Sequence, residues 1–252
     1  MTDTTDSRRI LMLLTSHDDL GGKRKTGFFA SEAAEAWLVF TQAGYEVDTV
    51  TVQPGRPPID GLDEDDETQQ RFFAAVDLDN LPSLADLDPA QLNGYDAVFL
   101  PGGHGTVWDF PSAEVGQVVS NVWQSGGAVG AVCHGPSGLV AAVDQDGTPI
   151  VSGRRVTGFS NAEEHAMELQ DVVPYLLADK LESLGGQVSN GPDFTEYVVR
   201  DGRLVTGQNP QSTFATAHAL VEALAARSGG LARSGSGLTP QQPHHPGPDV
   251  GP

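Results

Sequence analysis

The stretch GGAVGAVCHGPSG, residues 126–138, constrains the fold of this chain more than any other. A short run of small and apolar residues reads as a buried strand. The Gly-Pro pair just beyond it opens a helix. The cysteine between them, Cys133, is the only one in the chain and is followed at once by His134. Ala131 and Gly135 flank it at the small positions of a small-x-nucleophile-x-small pattern. A strand-to-helix turn this sharp, a nucleophile elbow, has no room for bulky neighbours and lifts the central side chain above the sheet edge. Two readings stand for Cys133: an inert buried thiol closing a strand, or a nucleophile held over a helix N-terminus. The second is favoured by the small residues on both sides, and a helix dipole there would lower the thiol pKa.

The rest of the chain repeats the strand-helix alternation. ILMLLTS (10–16), YEVDTVTV (45–52) and DAVFLPG (96–102) read as strands. SEAAEAWLVFTQAG reads as a helix with Ser31 as N-cap and Gly44 as stop, and further helices are expected up to Gln124, over GPSGLVAAV and over VVPYLLADKLESLGG. In YVVRDGRLVTG, Asp201-Gly202 between two apolar runs signals a hairpin, and PQSTFATAHALVEALAAR closes the fold as a helix. This pattern predicts an α/β three-layer sandwich of flavodoxin-like type, a mostly parallel sheet flanked by helices, as one domain over residues 8–226. Residues 54–94 are too long and acidic for an ordinary connection and are expected to form a partly helical insert near the site. Residues 227–252, rich in Gly, Pro and Ser, are expected to be a disordered tail in which His244 and His245 are incidental.

A formal charge of -20, from 14 basic and 34 acidic residues, disfavours nucleic acid or an anionic membrane as partner. A single cysteine excludes an internal disulfide, a CxxC pair and a multi-cysteine zinc site, and a lone thiol is best kept in the reducing cytoplasm. No apolar signal core opens the chain, and its apolar runs stay short of a membrane span.

In an open α/β sheet, ligands bind beyond the carboxyl ends of the strands, which directs attention to three loops. PGGHG (101–105) places Gly102 and Gly103 where backbone amides, with that of His134, would hold an oxyanion. His104 reads as a site residue or an ordinary loop histidine. Glu32 and Glu35 open the first helix, either offsetting its dipole or, if desolvated, sharing a proton with a thiolate. FSNAEEH (159–165) supplies Glu163 and Glu164 as acids to orient His134, or as helix N-terminal acids capped by Asn161.

These stretches together resemble the ThiJ/PfpI superfamily, related in fold to class I glutamine amidotransferases, and within it the heat-shock chaperone and glyoxalase III branch. KTGFFASEAAEAW, FLPGGHGTVWDFP, GAVGAVCHGP, VTGFSNAEE and DGRLVTGQNPQS carry the likeness in family order, over about residues 8–226. The resemblance implies Cys133 as nucleophile, Glu32 as general acid/base, His134 beside the nucleophile, Glu164 as third member of a triad, and the amides of Gly103 and His134 as oxyanion donors. It further implies conversion of methylglyoxal to D-lactate without glutathione, metal or other cofactor, a homodimer, and unfolded or glycated protein clients for a holdase or deglycase role. One departure stands out: Ala36, preceded by Glu35, occupies the place where the family usually carries proline. Amidotransferase chemistry needs a late His-x-Glu pair, and the chain has none. Amide or peptide hydrolysis by Cys133, His134 and Glu164 is the rival enzymatic reading.

Overall fold

The computed structural model describes residues 8–234, with side chains described through residue 226. Six strands form the central sheet: β1 (Arg9–Leu14), β2 (Glu46–Thr51), β3 (Ala97–Leu100), β4 (Ala128–Val132), β5 (Val198–Asp201) and β6 (Leu204–Gly207). Their spatial order is β2-β1-β3-β4-β6-β5, all parallel except the β5–β6 hairpin, which turns at Asp201-Gly202 as expected. Strands β1, β3 and β4 are buried almost throughout, which is why they read as continuous apolar runs rather than alternating ones. Seven α-helices are described: α1 (Ala30–Gln42), α2 (Glu67–Ala75), α3 (Thr106–Asp109), α4 (Ala113–Gln124), α5 (Asn161–Ala166), α6 (Leu177–Ser183) and α7 (Thr213–Ser234). Sheet and helices share one core, in which Phe40 of α1 meets Phe99 of β3 edge-to-face at 5.2 Å. Among the described residues no helix is long and apolar enough to cross a membrane.

Several expected elements change at their ends. Helix α1 starts at Ala30, so Ser31 is not its N-cap. The preceding Phe28–Phe29 pairs in parallel with Ile59–Asp60, and Phe29 N–H donates to the Gly102 carbonyl, which holds the chain extended up to Phe29. The helix then runs through Ala36 without a break, so the missing proline leaves its course intact. GPSGLVAAV does not become an α-helix: only a 3₁₀ turn over Gly135–Leu139 forms, because two glycines and a proline leave too little helical preference to propagate. VVPYLLADKLESLGG is helical only from Leu177, beyond Pro174. Residues 54–94 fold back onto α1: Asp66 caps α2 by accepting from the amides of Thr68 and Gln69, and Phe72 packs edge-to-face on Trp37. Three 3₁₀ turns complete the segment. At the other end the backbone of α7 continues to Ser234, past the expected start of the tail; the remainder of that segment, with His244 and His245, lies outside the described residues.

Gly135 shows how closely the elbow packs on its neighbour. A β-carbon there would collide with the carbonyl oxygen of Leu100, the last residue of β3. Gly135→Ala is therefore expected to cost about 2 to 3 kcal/mol, the scale of overpacking a rigid core, measurable as a lowered urea midpoint.

Candidate functional site

The loops after β1, β3 and β4 meet above the carboxyl edge of the sheet, where the strand order reverses between β1 and β3. Cys133 sits on the elbow with φ +59°, a left-handed conformation uncommon for a residue with a side chain. Two backbone bonds hold it there: its N–H donates to the Gly207 carbonyl, and its carbonyl accepts from Phe159 N–H. The residue is only 5 % exposed.

Two arms converge on the sulfur. On one side Glu32, fully buried in the first turn of α1, accepts a 2.6 Å bond from Gly102 N–H through Oε2 and meets the thiol with its carboxyl group. Its other oxygen, Oε1, is buried with no nitrogen or oxygen partner. On the other side His134 Nδ1 lies 3.5 Å from Cys133 Sγ, and His134 Nε2 is 2.7 Å from Glu164 Oε2. The second carboxylate oxygen of Glu164 is 2.9 Å from His104 Nε2. A carboxylate accepts only, so both imidazoles present Nε2–H to it and His134 Nδ1 is left to accept from the thiol.

Electrostatics separates the two carboxyls. Burial drives Glu32 up to about 8, against the Gly102 bond that favours its charge. Burial would raise Glu164 as well, but the bonds from His104 and His134 outweigh it and bring the group down to about 2. His134 is lowered by burial and by the neighbouring His104, so it is a neutral base at pH 7. The thiol departs from the expectation of a depressed pKa. Burial pushes Cys133 well above its ordinary value and a charge on Glu32 adds to the rise, while the amides of Gly103 and His134 pull the other way. A five-residue 3₁₀ turn has too small a dipole to offset that desolvation.

The candidate oxyanion donors narrow to two. Gly102 N–H is taken by Glu32, whereas the amides of Gly103 and His134 both point to the sulfur. Gly103 has φ +98°, and a β-carbon on it would strike the Gly27 carbonyl, so only glycine can turn its amide inward here. Thr106 ties the two donor loops together, its hydroxyl lying 2.9 Å from the Gly103 carbonyl and 3.0 Å from that of His134.

Glu35, by contrast, is half-buried near Asp66 of the insert, and burial with that neighbouring charge raises it to about 7. Glu163 is buried but engaged elsewhere: it closes a capping box with Ser160, which, rather than Asn161, caps α5. Sequence reasoning passed over the part played by His104, which is buried and shares Glu164 with His134. Only its place in the loop after β3 hinted at this. His104, His134 and Glu164 also offer three ligand atoms within 4.8 Å of one another, but those atoms are already hydrogen-bonded together. Glu164→Ala would leave two buried N–H groups without an acceptor. It is expected to cost about 2 to 4 kcal/mol in urea unfolding and to slow Cys133 alkylation by iodoacetamide roughly tenfold, as His134 loses its orientation.

A buried thiol on an elbow at the carboxyl edge of a mostly parallel sheet, with a neutral imidazole beside it, is the arrangement a cysteine-dependent α/β enzyme would need. The comparisons with known proteins agree and are more specific. The chain belongs to the DJ-1/PfpI family, whose profile matches residues 24–223. Glyoxalase 3 of Candida albicans is 32% identical over 237 residues, covering 85% of this chain and 98% of that protein. The crystal structure of glyoxalase III from the same organism superposes with a TM-score of 0.78 at 31% identity, covering 86% of this chain and 97% of that one. Rapid Encystment Protein 24 KDa of Francisella tularensis gives a TM-score of 0.81 at 36% identity over 86% of this chain and 99% of its own.

Proposed function

We propose that this chain is a glutathione-independent glyoxalase that converts methylglyoxal and related 2-oxoaldehydes to 2-hydroxy acids, D-lactate in the first case, through a hemithioacetal on Cys133. The observation that carries this reading is Glu32. A thiol-imidazole-carboxylate triad is enough for amide hydrolysis, but a second, protonatable carboxyl buried against the sulfur is what an internal proton transfer needs.

The thiol adds to the aldehyde carbon, C1, as its proton leaves through His134 to the new hydroxyl oxygen, which the Gly103 and His134 amides stabilise as charge develops. Glu32 in its ionised form takes the hydrogen of C1 as a proton, giving an enediolate, and returns that proton to C2 while the proton of the C1 hydroxyl passes to the oxygen on C2. C1 has then been oxidised to a thioester and C2 reduced to an alcohol, so no external oxidant or reductant enters. Water cleaves the thioester, releasing the hydroxy acid and the thiol. A carboxyl near 8 suits this task because its pKa lies close to the working pH.

The test is lactate formation from methylglyoxal by purified, reduced protein without glutathione, with the lactate resolved by stereospecific dehydrogenases. D-lactate is the expected product; no lactate from folded protein with a titratable thiol removes the reading. The same triad geometry keeps amide hydrolysis as the second reading. That reading predicts turnover of a chromogenic amide that His134→Ala abolishes and Glu32→Gln spares.

A further inference from the structure

The cavity over Cys133 is larger and more apolar than a three-carbon substrate requires. It has a volume of about 190 Å³, with Gly103, His104 and Cys133 at its base and Phe29, Phe159, Phe194 and Met167 in its walls. An apolar cavity of about 150 Å³ is enough to hold a benzene ring. On the polar side Arg24 is matched by Asp60 across a 2.7 Å ion pair, so its charge is already balanced.

Phe194 and Met167 stand at the mouth, 42% and 41% exposed. The Phe194 ring lies edge-on to Phe159, with centroids 6.4 Å apart, and Phe159 in turn packs on His134 at 4.4 Å. The backbone holding Phe194 is built for the purpose. Its φ of +53° is left-handed, and its N–H donates at 2.8 Å to Glu163 Oε1. The same oxygen accepts from the side chain of Asn209, next to the wall residues Pro210 and Gln211, while Oε2 accepts from the Ser160 amide at the head of the helix that carries Glu164. Glu163 thus ties the mouth of the cavity to the acid of the triad. A strained aromatic residue fixed in this way, with its ring left exposed, suits a surface that an incoming group covers.

We propose that Phe194 and Met167, backed by Phe159, form a subsite for the C2 substituent of the 2-oxoaldehyde, and that this chain favours aryl and branched apolar substituents over methyl. The proposal rests on the glyoxalase reading, since C1 must lie at Cys133 for the substituent to reach the mouth. Its consequence is a specificity set outside the catalytic groups.

The experiment compares kcat/KM for phenylglyoxal and methylglyoxal in the wild type, Phe194→Asn, Met167→Ala and Phe214→Ala. Asparagine tolerates the left-handed backbone, so the first variant removes the ring without adding strain. Phe214 is equally exposed but not among the cavity residues. The expected wild-type ratio favours phenylglyoxal by about tenfold or more, the scale of a well-filled apolar pocket. That ratio should fall roughly tenfold in Phe194→Asn and several-fold in Met167→Ala, mainly through KM, and hold in Phe214→Ala. A wild-type ratio near one, or a ratio unchanged in both cavity variants, overturns the subsite while methylglyoxal turnover keeps the glyoxalase reading standing. Turnover of neither aldehyde overturns both.

Discussion

Cys133→Ser is expected to lower methylglyoxal turnover by about 10⁴-fold or more while leaving the urea midpoint nearly unchanged. Loss of an enzyme's nucleophile typically removes several orders of magnitude. A hydroxyl is far less acidic and less polarisable than a thiol, and its oxygen sits on a shorter bond than the sulfur that His134 and the two amides surround, so serine is a poor substitute in this site. The elbow should persist, because its left-handed turn is held by main-chain bonds to Gly207 and Phe159 that serine retains. Residual activity above a few per cent in a folded Cys133→Ser variant would mean that the sulfur is not the attacking atom. The measurement is a lactate assay paired with urea unfolding on the same preparations.

Glu32→Gln is expected to do two opposite things. Turnover should fall by about 10³-fold, since an amide can neither take nor return a proton. Stability at neutral pH should rise. The carboxyl titrates near 4.5 in an unfolded chain and near 8 in the folded one, so between those values the folded state holds a proton that the unfolded state has released. Stability from this group is therefore fully present below about pH 4.5 and is lost as pH rises toward 8, at about 1.4 kcal/mol per pH unit. At pH 7 the wild type gives up about 3 kcal/mol that the Glu32→Gln variant does not. Urea unfolding of both proteins at pH 5 and pH 8 reads the difference directly. A gap between them that does not widen with pH would show that the carboxyl is not held neutral. The expected pH–rate profile of the wild type climbs toward pH 8 as Glu32 ionises into its basic form.

Much of the fold was legible in the chain because its signals are local. Continuous apolar runs at 10–14, 97–100 and 128–132 correspond to the parallel strands buried on both faces, and Asp201-Gly202 to the antiparallel hairpin of the central sheet. Small residues on both sides of Cys133 marked the elbow because backbone clash excludes larger ones, as Gly135 against Leu100 shows. Helix ends were less legible. Ser31 has the chemistry of an N-cap, but a pairing with residues 59–60, some thirty positions away, sets where α1 begins.

For the site, residue types and their spacing state which chemical groups are available: one thiol, an imidazole beside it, acids at 32, 163 and 164, and a glycine pair after a buried strand. How these groups pair comes from contacts between distant segments. The fold sets Glu164 rather than Glu163 against His134, brings His104 in as a second donor, gives the Gly102 amide to Glu32, and gives the thiol a raised instead of a lowered pKa. Residue types and spacing report local backbone preference. Desolvation and hydrogen-bond partnership depend on which groups from distant segments exclude water from one another, and that is settled only when the sheet edge is assembled.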